Sequence, residues 1–209
     1  MRFRHLMPAL ATVAVATLPA AAQRPVAALK AATPKPAAVA VYQIDATHSE
    51  LSFRIRHLLG RVSGSFGEWG GTIAIDSAAP ANSRVDVAIK TATIDTKNQM
   101  RDNHLRSADF FAADSFPAIT FKSTKVTVQG QSLRVAGDLT IRGRTKPVVL
   151  VGEYAGAFRD AQGTPRTAFT ASTTINRNDF GVAWNKAVES GAMLGDDVTI
   201  EISVEAVRM

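Results

Sequence analysis

The chain has 209 residues, 46% of them hydrophobic and 20% charged, with a formal net charge of +6 and no cysteine. That length suits one domain with a sizeable core, and the missing cysteine excludes disulfides, Cys-ligated zinc and thiol catalysis. Basic residues such as Arg54, Arg56, Arg84, Lys90, Arg134 and Arg142 stand singly along the chain rather than among aromatics, so no nucleic-acid partner is expected.

At the N-terminus, Arg2, Arg4 and His5 precede an apolar run from Leu6 to Leu18, and Ala20, Ala21 and Ala22 supply small residues for cleavage. Residues 1–22 therefore read as a signal peptide. The run is shorter than the roughly 20 residues a membrane-spanning helix needs. An exported, periplasmic protein is expected, with a net charge nearer +4 once Arg2 and Arg4 are removed. Residues 23–40, with Pro25, Pro34 and Pro36, read as an Ala/Pro-rich tether.

From residue 41 the hydrophobic period is two. Leu51, Phe53 and Ile55 alternate with Ser52, Arg54 and Arg56; Val85, Val87 and Ile89 do the same; so do Leu133, Val135, Leu139 and Ile141. The last run is the clearest, with Val198, Ile200, Ile202 and Val204 set against Thr199, Glu201, Ser203 and Glu205. Such alternation predicts antiparallel strands with one apolar and one wet face. Turn signals separate the runs at 76–83, 129–131, 142–144 and 160–165. One helix is predicted, from Asn98 to Ser107, and a second helical turn around Asp179 to Lys186. The Gly64–Gly67 and Gly70-Gly71 glycines are expected inside a strand hairpin, and no glycine-rich phosphate loop precedes a helix.

About eight strands, several of ten or more residues (61–76, 131–143, 167–176), favour a closed barrel over a sandwich, because closure removes exposed edges. The expected fold is all-β: an extended eight-stranded antiparallel β-barrel over residues 41–209, with one or two short helices at its loops. A barrel of that size holds either packed side chains or one small ligand.

Six blocks then resemble the YceI-like family of polyisoprenoid-binding proteins. They are Tyr42-Gln43-Ile44-Asp45 with His48-Ser49 and Phe53 to His57; Gly64-Ser65-Phe66 with Gly70-Gly71; Asn103 to Phe111; Phe116 to Phe121; Gly137 to Gly143; and Arg177 to Gly181. The resemblance implies a lipocalin-like barrel whose lumen takes an isoprenoid chain, such as a polyprenyl or quinone compound, and no further cofactor. Burying such a chain is worth about 0.8 kcal/mol per methylene against water, but almost nothing against a bilayer. Selectivity must then come from lumen shape and head-group contacts.

Candidate lumen residues are the inward apolar side chains of each run: Phe53 and Ile55, Phe66 and Ile73, Ile89 and Phe121, Leu139 and Ile141, and Ile175 and Ile202. Candidates for the mouth or the head group are Arg101, Asn103, His104, Phe110 and Phe111 around the predicted helix, with Arg177, Asp179 and Trp184 near the last turn. Arg177 and Asp179 are expected to pair locally. Trp69 is equally able to plug the barrel or to line a ligand.

Catalysis is not expected. Asp102 with His104, or Asp109 with His57, could pair as base and orienter for Ser107 or Ser49, but no nucleophile elbow is present. His48, His57 and His104 lack the spacing of a zinc motif, so no metal site is assigned. Transient membrane contact is compatible with a lipid ligand. The alternative is an exported structural or stress-response barrel with a side-chain-filled lumen, acting through protein contacts.

Overall fold

The computed structural model describes residues 39–185, 187–188 and 191–209. The expected signal peptide and all of the expected tether before residue 39 lie outside that range. Strands dominate what is described: β1 Ala40–Ile44, β2 Glu50–His57, β3 Gly60–Phe66, β4 Trp69–Ile75, β5 Arg84–Lys90 and the short β6 Ile94–Asp95. They continue as β7 Ala118–Gln129, β8 Ser132–Ile141, β9 Arg144–Arg159, β10 Pro165–Asn176, the short β11 Ala187–Val188 and β12 Gly191–Ala192, and β13 Leu194–Arg208. One α-helix among the described residues, α1, spans Gln99–Arg106.

The wall is an eight-stranded antiparallel barrel in chain order. β1 and β2 are one wall strand interrupted by the 3₁₀ turn Ala46–His48, because β1 pairs with β4 while β2 pairs with β3. β3 and β4 are likewise one strand, broken at Gly67-Glu68. The glycines expected in a hairpin therefore sit on a single bent strand. β5, β7, β8, β9, β10 and β13 follow, each paired to its predecessor, and β13 returns to β1 and β2. Pairing of β13 with β1 and β2 closes the wall, while β3 before Ser65 and β9 before Val151 are paired on one side only among the described residues. Register shifts at Ser123/Lys125, Ala168/Phe169 and Leu194/Val198 mark the bulges that coil these long strands.

Turn chemistry is legible at most connections. Arg142 and Gly143, at φ 50 and 70, make the two-residue β8–β9 hairpin turn, a conformation that glycine takes without strain. In the β9–β10 turn, Asp160 accepts from the backbone N–H of Gln162 and Thr164. Asn98 caps α1 by accepting from Arg101 N at 3.0 Å. At its other end the Ser107 hydroxyl donates to the His104 carbonyl at 2.7 Å.

The second predicted helical turn is displaced. A 3₁₀ turn runs Arg177–Phe180 and closes on Gly181 at φ 74, and 182–185 is irregular. Asn176 accepting from Asn178 N starts that turn two residues earlier than the apolar pattern suggested. Lys186 lies outside the described residues. Because strands alternate in direction, α1 with 107–117, the β2–β3 and β8–β9 turns and segment 177–185 gather at one end of the barrel. The 76–83, 130–131 and 160–164 turns gather at the other.

Candidate functional site

The inward faces do not fill the barrel. They enclose a cavity of about 720 Å³, within the usual range for small-molecule sites. A lumen packed solid with side chains, the alternative weighed from sequence, is therefore not what these residues build. All ten predicted lumen side chains line it: Phe53, Ile55, Phe66, Ile73, Ile89, Phe121, Leu139, Ile141, Ile175 and Ile202. Several of them, including Phe53, Ile55, Phe66 and Ile202, are only half-buried although they point inward. They face open space where a packed core would have a neighbour.

Trp69 also lines the cavity, as do Leu133, Leu150, Phe169 and Ile200, which the sequence reading did not single out as lumen residues. Leu133 and Ile200 sit on the same alternating rows as the residues that were chosen, so the signal was present. Away from the helix, Ile44, Ile73, Val204 and Ala206 form a second buried cluster, packed against Tyr42 and Ile75.

The mouth candidates divide. Arg101, His104, Phe110, Phe111, Arg177 and Trp184 line the cavity. Asn103 instead accepts from Arg106 Nη1 at 3.0 Å on the exposed side of α1, and Asp179 is exposed on the 3₁₀ turn. Neither is among the cavity-lining residues. Trp184 packs edge-on against His104, with ring centroids 4.9 Å apart, and is tilted on Phe110 at 5.1 Å. Phe111 stands edge-on to Phe66, which meets Phe53 in turn. These rings form a lid over the helical end.

The expected Arg177–Asp179 pair does not form. Arg177 is buried, and its guanidinium donates to the carbonyls of Gly195, Val182 and Trp184 at 2.6 to 2.9 Å and reaches Asp196 at 3.4 Å. Burial pushes its pKa down, against the opposing pull of Asp196. Irregular backbone lacks ladder partners, so its buried carbonyls need donors from side chains, and the guanidinium fork supplies several at once. Arg142 does the same for Ala108, Phe110 and Gly181, and Arg106 for Ala92 and Ile94. Arginine anchors spread over such distant segments leave no local sequence signal.

Thr96 is held from both sides. Its N–H and hydroxyl donate to buried Asp102 at 2.9 and 2.5 Å, while Arg101 Nε donates to its hydroxyl oxygen at 2.7 Å. Asp102 is thus spent on Thr96 and does not pair with His104. His104 Nε2 lies instead 2.8 Å from Asp109 Oδ2. Ser107 donates to a helix carbonyl and Ser49 to the Glu205 carbonyl, so neither hydroxyl is presented to a histidine as the imagined triads require.

His48 does meet two carboxylates, Asp45 and Glu205, with ligand atoms within 4.8 Å of one another. Arg166 already supplies the cation there, 2.9 Å from Asp45 and 2.5 Å from Glu205, with Asp160 at 3.1 Å. Asp45 is held at about 2, first by the His48 hydrogen bond and then by Arg166.

The profile of the YceI-like domain matches residues 42–206, nearly the whole described barrel. The chain belongs to the YceI-like family. Among its relatives is protein YceI of Shigella flexneri, 38% identical over 175 residues, covering 82% of this chain and 89% of the relative. A solved Campylobacter jejuni YceI protein is 34% identical and superposes with a TM-score of 0.64, covering 74% of this chain and 90% of that one. A polyisoprenoid-binding domain from Saccharophagus degradans shares the fold at 15% identity, with a TM-score of 0.57 over 80% of this chain and 98% of the domain. YceI-like barrels thus share the wall described above.

Proposed function

We propose that this YceI-like protein binds one long-chain isoprenoid or a related amphipathic lipid in the barrel lumen and carries it in the periplasm, as a binding protein rather than an enzyme. The observation that carries this reading is the open cavity of about 720 Å³ with an almost wholly apolar lining drawn from every wall strand. An apolar void of that size costs stability unless something occupies it. A hydrocarbon chain recovers the lost contacts at about 0.8 kcal/mol per methylene removed from water.

The fold shared with a polyisoprenoid-binding domain supports an isoprenoid over other hydrocarbons. A polyprenyl or quinone compound fits, with its polar end toward Arg101 and His104 and its tail between Phe53, Phe121 and Ile202. Arg177 is spent on backbone carbonyls and is assigned no head-group role. The short basic and apolar start of the sequence, ending in Ala20-Ala21-Ala22, supports export.

The test is to purify the protein under native conditions, extract it with organic solvent and analyse the extract by mass spectrometry. A stoichiometric long-chain lipid is expected, and it should be absent from a soluble, folded Phe53→Glu variant. An extract from the unaltered protein with no lipid, together with failure to take up added polyprenol, would sink the proposal.

A further inference from the structure

The β7–β8 and β8–β9 turns each carry one glycine, Gly130 and Gly143, but the β2–β3 turn carries none. Two-residue hairpin turns call for Asn, Asp or Gly, yet here the two residues are Leu58 and Leu59. Leu58 sits at φ 51, a left-handed conformation that bulky residues rarely adopt, and Leu59 is fully exposed at 104%. Arg56 Nη1 donates to the Leu58 carbonyl at 3.1 Å and holds the turn, which leaves Leu59 as an apolar tip in solvent.

The tip stands at the lumen. His57 precedes it and lines the cavity, and Leu58 N donates to the carbonyl of Met193, another cavity residue. On α1, Met100 lines the same cavity and is 82% exposed. Around the tip the charge is basic: Arg56 and Arg61 are direct cross-strand partners, both exposed. Like charges so placed repel. Among the described residues no carboxylate lies within ion-pairing distance of either. Of the described carboxylates nearby in the chain pairing, Asp196 is engaged with Arg177, Asp197 sits on the β13 bulge and Asp95 is held by Lys97.

We propose that Leu58, Leu59 and Met100 insert into the interface of an anionic phospholipid bilayer, with Arg56 and Arg61 over its head groups, so that the lumen opens onto the membrane. This rests on the lumen reading above, because a docked mouth lets a chain pass between bilayer and barrel without crossing water. The test is cosedimentation with vesicles of phosphatidylcholine alone or mixed with phosphatidylglycerol. Binding to the anionic vesicles is expected, weakened by salt. It should fall about tenfold or more in Leu59→Ser with Met100→Ser, since each exposed side chain forfeits apolar burial. Phe158→Ser, a control at an exposed apolar residue by the opposite turns, should bind like the unaltered protein. Equal binding by all three, an equal loss in the control, or a dimer that Leu59→Ser dissolves would each overturn the proposal. Lipid recovered from the Leu59→Ser protein would show that the lumen reading stands whatever the vesicles do.

A separate observation concerns the bore. Gly64 is the cross-strand partner of Phe53, so both face the lumen. A Cβ on Gly64 would lie 2.5 Å from Phe53 Cζ and 2.8 Å from the Thr96 methyl. The Phe53 ring therefore lies over the bare glycine and along the wall. Thr96 cannot yield, being bonded to Asp102 and Arg101. Phe121 lies over Gly137 in the same way, with its Cζ 2.5 Å from that missing Cβ.

We infer that Gly64 sets the lumen's width and thereby its tolerance of methyl-branched chains. Gly64→Ala should swing Phe53 inward and lower retention of the branched C20 alcohol geranylgeraniol, relative to a straight-chain alcohol, by about tenfold or more, the scale of one methylene in an apolar pocket. Adding Phe53→Ala should restore the original ratio. Phe53→Ala alone, should Gly64→Ala not fold, should favour the branched probe. An unchanged ratio in Gly64→Ala, no restoration in the double variant, or an unchanged ratio in Phe53→Ala would refute the bore. Unaltered protein that takes up neither alcohol would refute the lumen reading and the bore together.

Discussion

Each end of the barrel is tied together by arginine, but the partners differ. At the helical end, Arg106, Arg142 and Arg177 donate almost wholly to backbone carbonyls, most on segments outside the sheet and the others on short β6 and at the β13 bulge. On the outer face toward the other end, Arg166 meets three carboxylates, Asp45, Asp160 and Glu205. The contrast follows from the backbone. Where hairpin ladders satisfy their own carbonyls, a guanidinium is left to pair with charge. Where the chain is irregular and buried, the guanidinium must stand in for the missing ladder. The lid over the lumen is therefore held by neutral acceptors and the outer knot by titrating ones.

The largest break in that comparison is Arg177→Ala. It should cost about 3 kcal/mol or more, because it strips donors from the carbonyls of Gly195, Val182 and Trp184, while the pair with exposed Asp196 adds little. Denaturant unfolding would measure it, with altered Trp184 fluorescence reporting the loosened lid. Arg177→Lys should recover only part, since an ammonium cannot span the same fork of acceptors. Stability close to that of the unaltered protein would mean that the lid is held by its rings alone.

Acid should separate the two ends. Asp45 is held near 2, below its ordinary 3.8, so its contribution is complete above about pH 4 and is lost as the pH falls through 2. Asp160 is lowered as well, first by the Thr164 N–H and then by Arg166. Thermal melts across that window should show falling stability. Asp45→Asn should flatten part of the slope, whereas Arg142→Ala should lower stability at every pH without changing the slope. The smallest effect is expected at Asp179, exposed and unconnected to the lumen. Asp179→Ala should change stability by no more than about 0.5 kcal/mol and leave lipid retention unaltered, and a marked loss of lipid would restore it as a head-group residue.

Much of the wall was readable before any coordinates. The rows Val198-Ile200-Ile202-Val204 and Leu133-Val135-Leu139-Ile141 point inward as their alternation requires, and the helix from Asn98 to Ser107 matches α1 with its caps. Mouth residues were harder. Proximity in the chain suggested Arg177 with Asp179 and Asp102 with His104, but the real partners of Arg177 are contributed by 182–196, and Asp102 turns back to Thr96. Arg106 and Arg142 carried no local mark of their anchoring role, because their acceptors come from segments far along the chain.

Alternation along each strand determined which side chains face inward, since a pleated strand allows only two directions. Whether the space they enclose stays open was decided only in three dimensions. It depends on Phe53 finding bare Gly64 across the strand pair and Phe121 finding Gly137, and on arginines meeting carbonyls from remote loops. The free volume of a barrel is a sum over such contacts, and no period along the chain encodes it.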